Sequence, residues 1–266
     1  MNPMMGFDKS PKRVGGLMLV LVLGCYHHAR RDAPAPPSQS ASQPMVSIPA
    51  QLFTMGDRNG EPDEYPVREI RMDSFSIDRM EVSNEAYERC VQAKACDPSP
   101  YHDEPELGLP HHPVVGVAFE DAERFCAWVS KRLPTEAEWE LAARGTDQRR
   151  WPWKGVFDPQ RANTSQQGDF HKITAPVDAY PNGESPYGVL NMAGNVAEWT
   201  SDFYDPTYYQ TSTEAQNPTG PRFGRERVVR GGSYRDSSHL VRVSARRGKI
   251  PTESDNTIGF RCAHDG

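Results

Sequence analysis

A short segment in the second half of the chain concentrates oxygen ligands of the kind that bind a hard cation. Asn191 and Glu198 offer a side-chain amide and a carboxylate, and Gly194 and Val196 between them offer backbone carbonyls. Ca²⁺ takes about six to eight oxygen ligands of these types in flexible geometry. The spacing therefore predicts a calcium site at these four positions. The alternative is that Asn191 and Glu198 only hydrogen-bond a glycine-rich turn.

The cysteines predict disulfides. The chain has five of them, and Cys25 stands apart near the N-terminus. The remaining four are an even number, which favours disulfides in an oxidising compartment, and they allow three connectivities. Cys90 and Cys96 are close in sequence at a predicted helix end, so a local loop closes easily there, and Cys126 would then join Cys262. A thiolate metal site is the rival interpretation, and no CxxC spacing supports it.

The N-terminal part predicts export and lipid attachment. Basic residues precede an apolar run over residues 14–24, which is too short to span a bilayer as a helix and ends directly before Cys25. This junction resembles a bacterial lipobox, which implies that residues 1–24 are a signal peptide and that Cys25 is acylated. A general secretory signal with an incidental cysteine is the alternative. Residues 25–45, rich in Pro, Ser, Ala and Gln, predict a flexible tether.

These features predict where the protein resides. Attached acyl chains would hold it at the cell envelope, since several chains anchor firmly where one does not. Tyr26, and not an aspartate, follows Cys25. By resemblance to Gram-negative sorting rules, this favours the outer membrane.

The whole-chain composition bounds the class of protein. The net charge is −6 and the pI is near 5.8, so no basic surplus is available to bind a nucleic-acid backbone. Glycine and proline number 21 and 24 among 266 residues, which favours a loop-rich fold with short elements over a helix bundle. This length suits one substantial domain plus tails.

Local patterns predict three helices after the tether. Ser83 is a good N-cap for the first, and an apolar stripe predicts the second over about residues 120–131. Thr135 and Glu138 form a capping box that begins the third, and Gly145 suits its C-terminal end.

The residue patterns that predict strands are less regular than those that predict helices. Residues 46–55 alternate loosely and predict an opening strand, and residues 75–78 predict another. Beyond residue 146 we expect loops and short strands. The large aromatic side chains are expected to be core residues, because each buries a large area; they are Trp128, Trp139 and Trp199.

Four ordered groups of motifs cover most of the chain from residue 46 onward. They include FTMG with FSIDRMEVSN, then RLPTEAEWELAARG, then YGVLNMAGNVAEW, and finally RGGSY with IGFRC. Together and in this order they resemble the formylglycine-generating-enzyme (sulfatase-modifying factor) family. The resemblance implies a domain over residues 46–266 with an irregular, loop-rich α+β fold. It would have few short helices and strands and be related to C-type-lectin-like domains.

The resemblance also implies site residues. It assigns calcium to the same four positions as the residue pattern does, and it implies a Cys126–Cys262 disulfide. It further implies a second calcium site, in which Asn163 matches the family's asparagine and Asp169 is the candidate aspartate.

The expected catalytic pair is absent. Enzymes of the family convert a sulfatase cysteine to formylglycine with O₂ at two cysteines that hold copper(I), and soft thiolates select that ion. The first cysteine matches Asp236, and the second matches His239 or Val241. Because a carboxylate and an imidazole cannot reproduce a dithiolate site, copper is not expected. An iron centre on Asp236 and His239 is the alternative, with a third ligand drawn from His102, His111 and His112.

Two functional hypotheses follow. The first is an exported, lipid-anchored family member that lacks the oxidase activity, holds structural calcium and binds a peptide or protein at the cell envelope. Its partners would be the membrane, through the lipid, and that ligand, but no nucleic acid. The alternative is a metal-dependent oxidoreductase, with non-heme iron or copper, that modifies exported proteins or peptides.

Overall fold

The computed structural model describes residues 44–166, 171–253 and 255–266. Its helices are α1 (Asn84–Gln92), α2 (Phe119–Trp128), α3 (Glu136–Arg144) and the short α4 (Tyr208–Thr211). Its strands are β1 (Met45–Ile48), β2 (Gln51–Met55), β3 (Arg68–Met72), β4 (Phe75–Asp78), β5 (Ala197–Phe203), β6 (Arg227–Arg230), β7 (Arg246–Lys249), β8 (Ile258–Gly259) and β9 (Ala263–Asp265). Most of this part of the chain is loop, as the composition predicts.

The capping residues set the helix starts as predicted. Ser83 Oγ accepts a hydrogen bond from the Ala86 amide at 3.2 Å at the start of α1. The Thr135 and Glu138 capping box is formed at the start of α3. The predicted end of the second helix is wrong: α2 ends at Trp128, because Ser130 has a left-handed φ of 59° that a helix cannot accommodate.

The predicted opening strand is in fact two strands in different sheets. β1 pairs with β4, which also pairs with β9, and both pairings are antiparallel. β2 forms an antiparallel pair with β3. The break between them contains Pro49, which has no amide hydrogen for a ladder. The third sheet has the order β7-β6-β5-β8, in which only the β5–β8 pairing is parallel.

β5 separates two hydrophobic clusters and presents neighbouring residues to each. Trp199 packs edge-on against Phe119 in one cluster, with ring centroids 5.9 Å apart. Glu198 points to the other side and accepts a hydrogen bond from Trp139 Nε1 at 2.8 Å. Both tryptophans are fully buried, as predicted, whereas Trp128 is only partly buried.

Both expected disulfides are formed. One joins Cys90 at the end of α1 to Cys96, and the other joins Cys126 on α2 to Cys262, across 136 residues. Cys262 lies between β8 and β9. These four are all the cysteines in the part of the chain that the structure describes.

Several sequence predictions concern residues that the structure does not describe. The signal peptide, Cys25 and all but the last two residues of the predicted tether lie outside the described residues, as does Asp169. The last tether residue, Met45, is the first of β1. In the described ranges, no helix is long and apolar enough to cross a membrane.

Candidate functional site

The loop before β5 has a conformation that folds its polar groups inward. Asn191 and Asn195 have φ values of 56° and 60°, in the left-handed region that asparagine tolerates better than most residues. Gly194 has a φ of 79°, and a Cβ there would lie 2.2 Å from the carbonyl oxygen of Asn163. Only glycine therefore permits the close approach of these two backbone segments.

Asn191 lies at the centre of a buried polar cluster. Its Nδ2 donates to Glu81 Oε2 at 2.7 Å and to the Val177 carbonyl at 2.8 Å. Asn195 Nδ2 donates to the other Glu81 oxygen at 2.9 Å. The Oδ1 atom of Asn191 is buried and accepts no hydrogen bond from the described residues. Such an oxygen is costly unless it has a partner, and a cation is one.

Glu198 is in place, but its carboxylate is already engaged. Arg261 donates to it through Nε at 2.7 Å and Nη2 at 2.6 Å, and both side chains are fully buried. With the Trp139 indole also donating, each oxygen of Glu198 has at least one partner. Glu81, which sequence reasoning missed, contributes a second carboxylate to the cluster.

The charges of this cluster do not balance. Glu81 and Glu198 are near each other, and among the described residues Arg261 is the cation that acts on both. Burial raises the pKa of Glu81 to about 7; the charge of Glu198 also raises it, and that of Arg261 opposes the rise. A bound cation would offset the excess negative charge that otherwise favours a proton on Glu81. The orphaned Asn191 oxygen and the second carboxylate both fit Ca²⁺.

Of the two residues predicted for the second calcium site, the structure describes only Asn163. This side chain is buried, donates to the Ile173 carbonyl at 2.6 Å and to Asn195 Oδ1 at 3.2 Å, and leaves its own Oδ1 without a donor. Its proposed partner Asp169 falls in the gap between the described ranges.

The three residues that the sequence predicts at the positions of the family's cysteine pair have separate surroundings. Asp236 Oδ2 accepts from the Ser233 amide at 2.8 Å and pairs with Arg247 at 3.0 Å. His239 Nε2 lies 2.7 Å from a Glu61 oxygen at the surface. Val241 is fully buried in a small hydrophobic cluster with Trp153.

The three histidines considered as a third ligand have other partners in the described part of the chain. His102 Nε2 lies 2.9 Å from Asp103, and His112 Nδ1 lies 2.9 Å from Thr174 Oγ1. His111 Nδ1 lies 3.8 Å from Glu85. Across residues 44–166, 171–253 and 255–266, no three His, Cys, Asp or Glu side chains come together as a metal site would require.

A groove opens beside Asp236. Its volume is about 510 Å³, and its polar lining includes Thr164, Ser165, His171, Lys172, Tyr234 and Arg235. The Ser165 amide donates to the Asp236 carbonyl at 3.1 Å, which places the groove next to the residue predicted to match the first cysteine.

The groove rests on the loop that carries the candidate calcium residues. The Tyr234 amide donates to the Asn195 carbonyl at 2.9 Å, and the Gly194 amide donates to the Gly231 carbonyl at 2.9 Å. The candidate cation site therefore supports the floor of the groove.

Residues 30–266 match the model of the sulfatase-modifying factor enzyme 1-like domain. The chain belongs to this family. It is 35% identical over 298 residues to the formylglycine-generating enzyme of Thermomonospora curvata, a match that covers 88% of this chain and 97% of that enzyme. The family resemblance seen in the motifs is thus confirmed.

Other relatives differ in their named activities. The chain is 31% identical over 284 residues to the inactive C-alpha-formylglycine-generating enzyme 2 of Bos taurus, covering 82% of this chain and 87% of that protein. It is 38% identical over 238 residues to the serine/threonine-protein kinase pkn1 of Chlamydia caviae. That match covers 82% of this chain but spans only 37% of the kinase.

A solved structure has the same fold. PvdO from Pseudomonas aeruginosa is 25% identical and aligns with a TM-score of 0.75 over 88% of this chain and 100% of that one. The predicted irregular α+β fold is therefore confirmed.

Proposed function

We propose that this chain is an exported, lipid-anchored member of the family that lacks formylglycine-generating oxidase activity and binds a peptide or protein at the cell envelope. One observation carries the first part of the proposal. Every cysteine of the described residues is in a disulfide, so none supplies a thiolate for copper(I). Cys25, the remaining cysteine, is the residue we propose to be acylated.

The substituted positions support the same conclusion. Asp236 is held by Ser233 and Arg247, and His239 is paired with Glu61. Each side chain is therefore engaged by different protein partners. The metal-dependent oxidoreductase that was our alternative has no ligand set among the described residues. A relative whose name calls it inactive is in keeping with a member that has no oxidase activity.

The groove beside Asp236 is the surface that we assign to the ligand. A volume of about 510 Å³ lies within the range of roughly 300–1,000 Å³ that is usual for binding pockets. The groove is open at the surface and lined by polar groups from four separate stretches of the chain. Such a surface binds an extended segment without any covalent chemistry.

We also propose a structural Ca²⁺ in the cluster below the groove. Asn191 Oδ1, the Glu81 carboxylate and the carbonyls of Gly194 and Val196 would hold it, with Glu198 alongside and oriented by Arg261. The ion would supply the positive charge that the two carboxylates lack, and it would fix the loop on which the groove rests. Asn163 would contribute to a second site.

Metal analysis of the purified full chain tests the proposal. The protein is loaded separately with Ca²⁺, Cu(I) and Fe(II), desalted and assayed by mass spectrometry, beside E81Q and N191A variants. We expect wild-type protein to retain calcium, both variants to lose it, and neither copper nor iron to be retained in stoichiometric amounts. Stoichiometric copper or iron that is lost in D236A or H239A would show that a redox centre exists and would overturn the proposal.

The anchor is tested by one substitution. In a Gram-negative host, the wild-type chain should partition with membranes, and C25S should not. Equal partition of the two proteins would remove lipid attachment from the proposal.

A further inference from the structure

A short loop between β5 and β6 presents the most exposed large apolar side chain of the described residues. Phe223 is 85% exposed. The glycines on either side of it press against the last two residues of β5. A Cβ at Gly220 would lie 2.8 Å from the Cβ of Asp202, and one at Gly224 would lie 2.8 Å from the Cβ of Phe203. This close backbone approach holds the loop on the strand and leaves the residues between the two glycines projecting from it.

Hydrogen bonds fix the chain before and after the loop. The Asn217 amide donates to the Arg71 carbonyl at 2.9 Å, and Asn217 Nδ2 donates to Asp73 Oδ2 at 2.7 Å. On the other side, the Tyr204 amide donates to the Glu226 carbonyl at 2.9 Å. The fold therefore presents Phe223 on a fixed support, although burying its ring would be favourable.

Two cations flank this aromatic side chain. Arg222 and Arg225 are both exposed, and neither takes part in an ion pair among the described residues. The neighbouring acid, Glu226, faces another way: a Cβ at Gly248 on β7 would lie 2.3 Å from Glu226 Oε2. The tip of the loop thus combines one apolar ring with two positive charges.

The undescribed residues leave this charge in place. The gap that contains Asp169 is flanked by residues at the other end of β5, where Asn163 Nδ2 donates to Asn195 Oδ1 at 3.2 Å. Asn195 precedes β5, and the loop packs on the end of that strand, roughly 25 Å away at the rise of an extended chain. Charges so far apart are largely screened. Residues 26–43 contain two arginines and one aspartate, so they bring no surplus of negative charge.

From this juxtaposition we infer that the loop docks on a bilayer that contains anionic lipid. Phe223 would enter the interfacial region, and Arg222 and Arg225 would pair with lipid phosphates. A protein interface needs about 800 Å² on each partner, and one projecting ring is too small for its core, whereas a lipid surface requires no complementary shape.

This inference rests on the proposed function, because the lipid on Cys25 would bring the loop to the membrane. A weak contact suffices there, since tethering gives an effective concentration of about millimolar. Residues 26–43 reach about 60 Å when fully extended, which lets any face of a domain of this size meet the membrane. Docking at the end of β5 would leave the groove beside Asp236, which rests on the segment before β5, facing away from the lipid.

The emission of an environment-sensitive label tests the inference. The lipidated full chain is prepared as F223C and as V156C, labelled with NBD, and reconstituted into phosphatidylcholine vesicles with or without phosphatidylglycerol. The four other cysteines of the described residues are in disulfides, and Cys25 would be acylated, so the label enters at the new thiol. At position 223 we expect a blue shift, a gain in intensity and quenching by doxyl-labelled lipid, each dependent on phosphatidylglycerol.

Val156 is the matched control position. It is 82% exposed, and its carbonyl accepts a hydrogen bond from Trp153 Nε1 at 3.1 Å. Trp153 packs with Ala193, close to the start of β5, so Val156 lies at the end of the strand opposite to the loop. A label at position 156 should show neither the blue shift nor the quenching.

Charge variants test the two arginines. In the F223C protein, R222Q and R225Q should each lower the ratio of docked to undocked loop about fivefold. R150Q removes another exposed arginine, in the same loop as Val156, and should leave the ratio unchanged. All of these variants change exposed side chains, so the fold should be retained.

Several results would overturn the inference: no blue shift at position 223, an equal shift without phosphatidylglycerol, an equal shift at position 156, or an R150Q effect as large as that of R222Q. The intact mass of the same preparation reports acylation independently. A chain without acyl groups would overturn the proposed anchor, while the label, measured after vesicles are added to that chain, would still decide whether the loop docks.

Discussion

Arg261 and Glu198 form a fully buried ion pair, with guanidinium nitrogens 2.6 and 2.7 Å from the two carboxylate oxygens. Arg261 also donates to the carbonyls of Asp78 and Leu190. Arg261, which directly precedes Cys262, thus connects β5 to the end of β4 and to the loop before the candidate calcium residues. The pair links the third sheet to the candidate site.

Removing one partner of this pair should be costly. E198Q leaves Arg261 buried without its counter-charge, and such losses destabilise by about 3–5 kcal/mol. E85Q, which breaks the exposed pair with Arg89, should change stability by about 1 kcal/mol or less. Urea unfolding of both variants in a chelator measures the difference without any contribution from bound calcium. A loss below about 1 kcal/mol for E198Q would show that the pair does not hold the fold together.

Calcium should stabilise the wild-type protein through the cluster around Asn191. A ligand at about one hundred times its Kd adds about 2.7 kcal/mol to the free energy of unfolding, so the Tm should rise with added Ca²⁺. N191A should abolish that rise, because it removes a buried oxygen that no described residue satisfies. N182A changes an exposed asparagine and should leave the rise intact. A calcium-dependent Tm in N191A equal to that of wild type would exclude Asn191 as a ligand.

Asp202 should make stability fall as the pH rises. Burial, together with the nearby charge of Glu136, raises its pKa to about 7, from an ordinary value of 3.8. Between about pH 4 and pH 7 the unfolded state loses this proton while the folded state keeps it. Raising the pH through that window therefore destabilises the fold, and the effect is complete above it.

The D202N variant isolates this contribution. Its amide oxygen can still accept the hydrogen bond that Asp202 accepts from the Glu136 amide at 2.8 Å, but it does not titrate. The Tm of D202N should decline less across the same pH window than that of wild type, while an exposed change, D103N, should follow wild type. Parallel pH profiles for wild type and D202N would show that Asp202 is ionised in the fold.

The two disulfides should differ in their effects on stability. Cys126–Cys262 spans 136 residues and Cys90–Cys96 spans 6. In the chain-entropy model the longer loop is worth about 5 kcal/mol and the shorter about 2.4 kcal/mol. The double variant C126S/C262S should therefore unfold at lower urea concentration than C90S/C96S. The reverse order would mean that native-state effects outweigh loop entropy.

The starts of α1 and α3 could be predicted from the sequence because a capping residue bonds a group only a few positions further along the chain. The caps at Ser83 and Thr135 act within three residues, and both helices start where these residues indicate. The predicted end of α2 was wrong because the apolar stripe continues to Val129, although the backbone turns at Ser130. The split of residues 46–55 depends on which distant strand each half pairs with, and no local pattern reports that.

The candidate site was only partly readable for the same reason. The spacing from Asn191 to Glu198 falls in one short stretch, but Glu81 is 110 residues from Asn191 and joins it only through the fold. Its one signal was a glutamate inside the FSIDRMEVSN motif. Nor does the sequence reveal that Arg261 occupies the carboxylate of Glu198.

The proposal that the chain lacks oxidase activity is tested most directly by turnover. The full chain, supplied with Cu(I) and O₂, is incubated with a sulfatase-type cysteine peptide, and formylglycine is quantified by mass spectrometry beside oxygen consumption. A formylglycine-generating enzyme serves as the positive control, and Cu(I) with peptide alone as the blank. We predict no formylglycine above the blank. Formylglycine that requires the chain, and that disappears in D236A, would contradict the account.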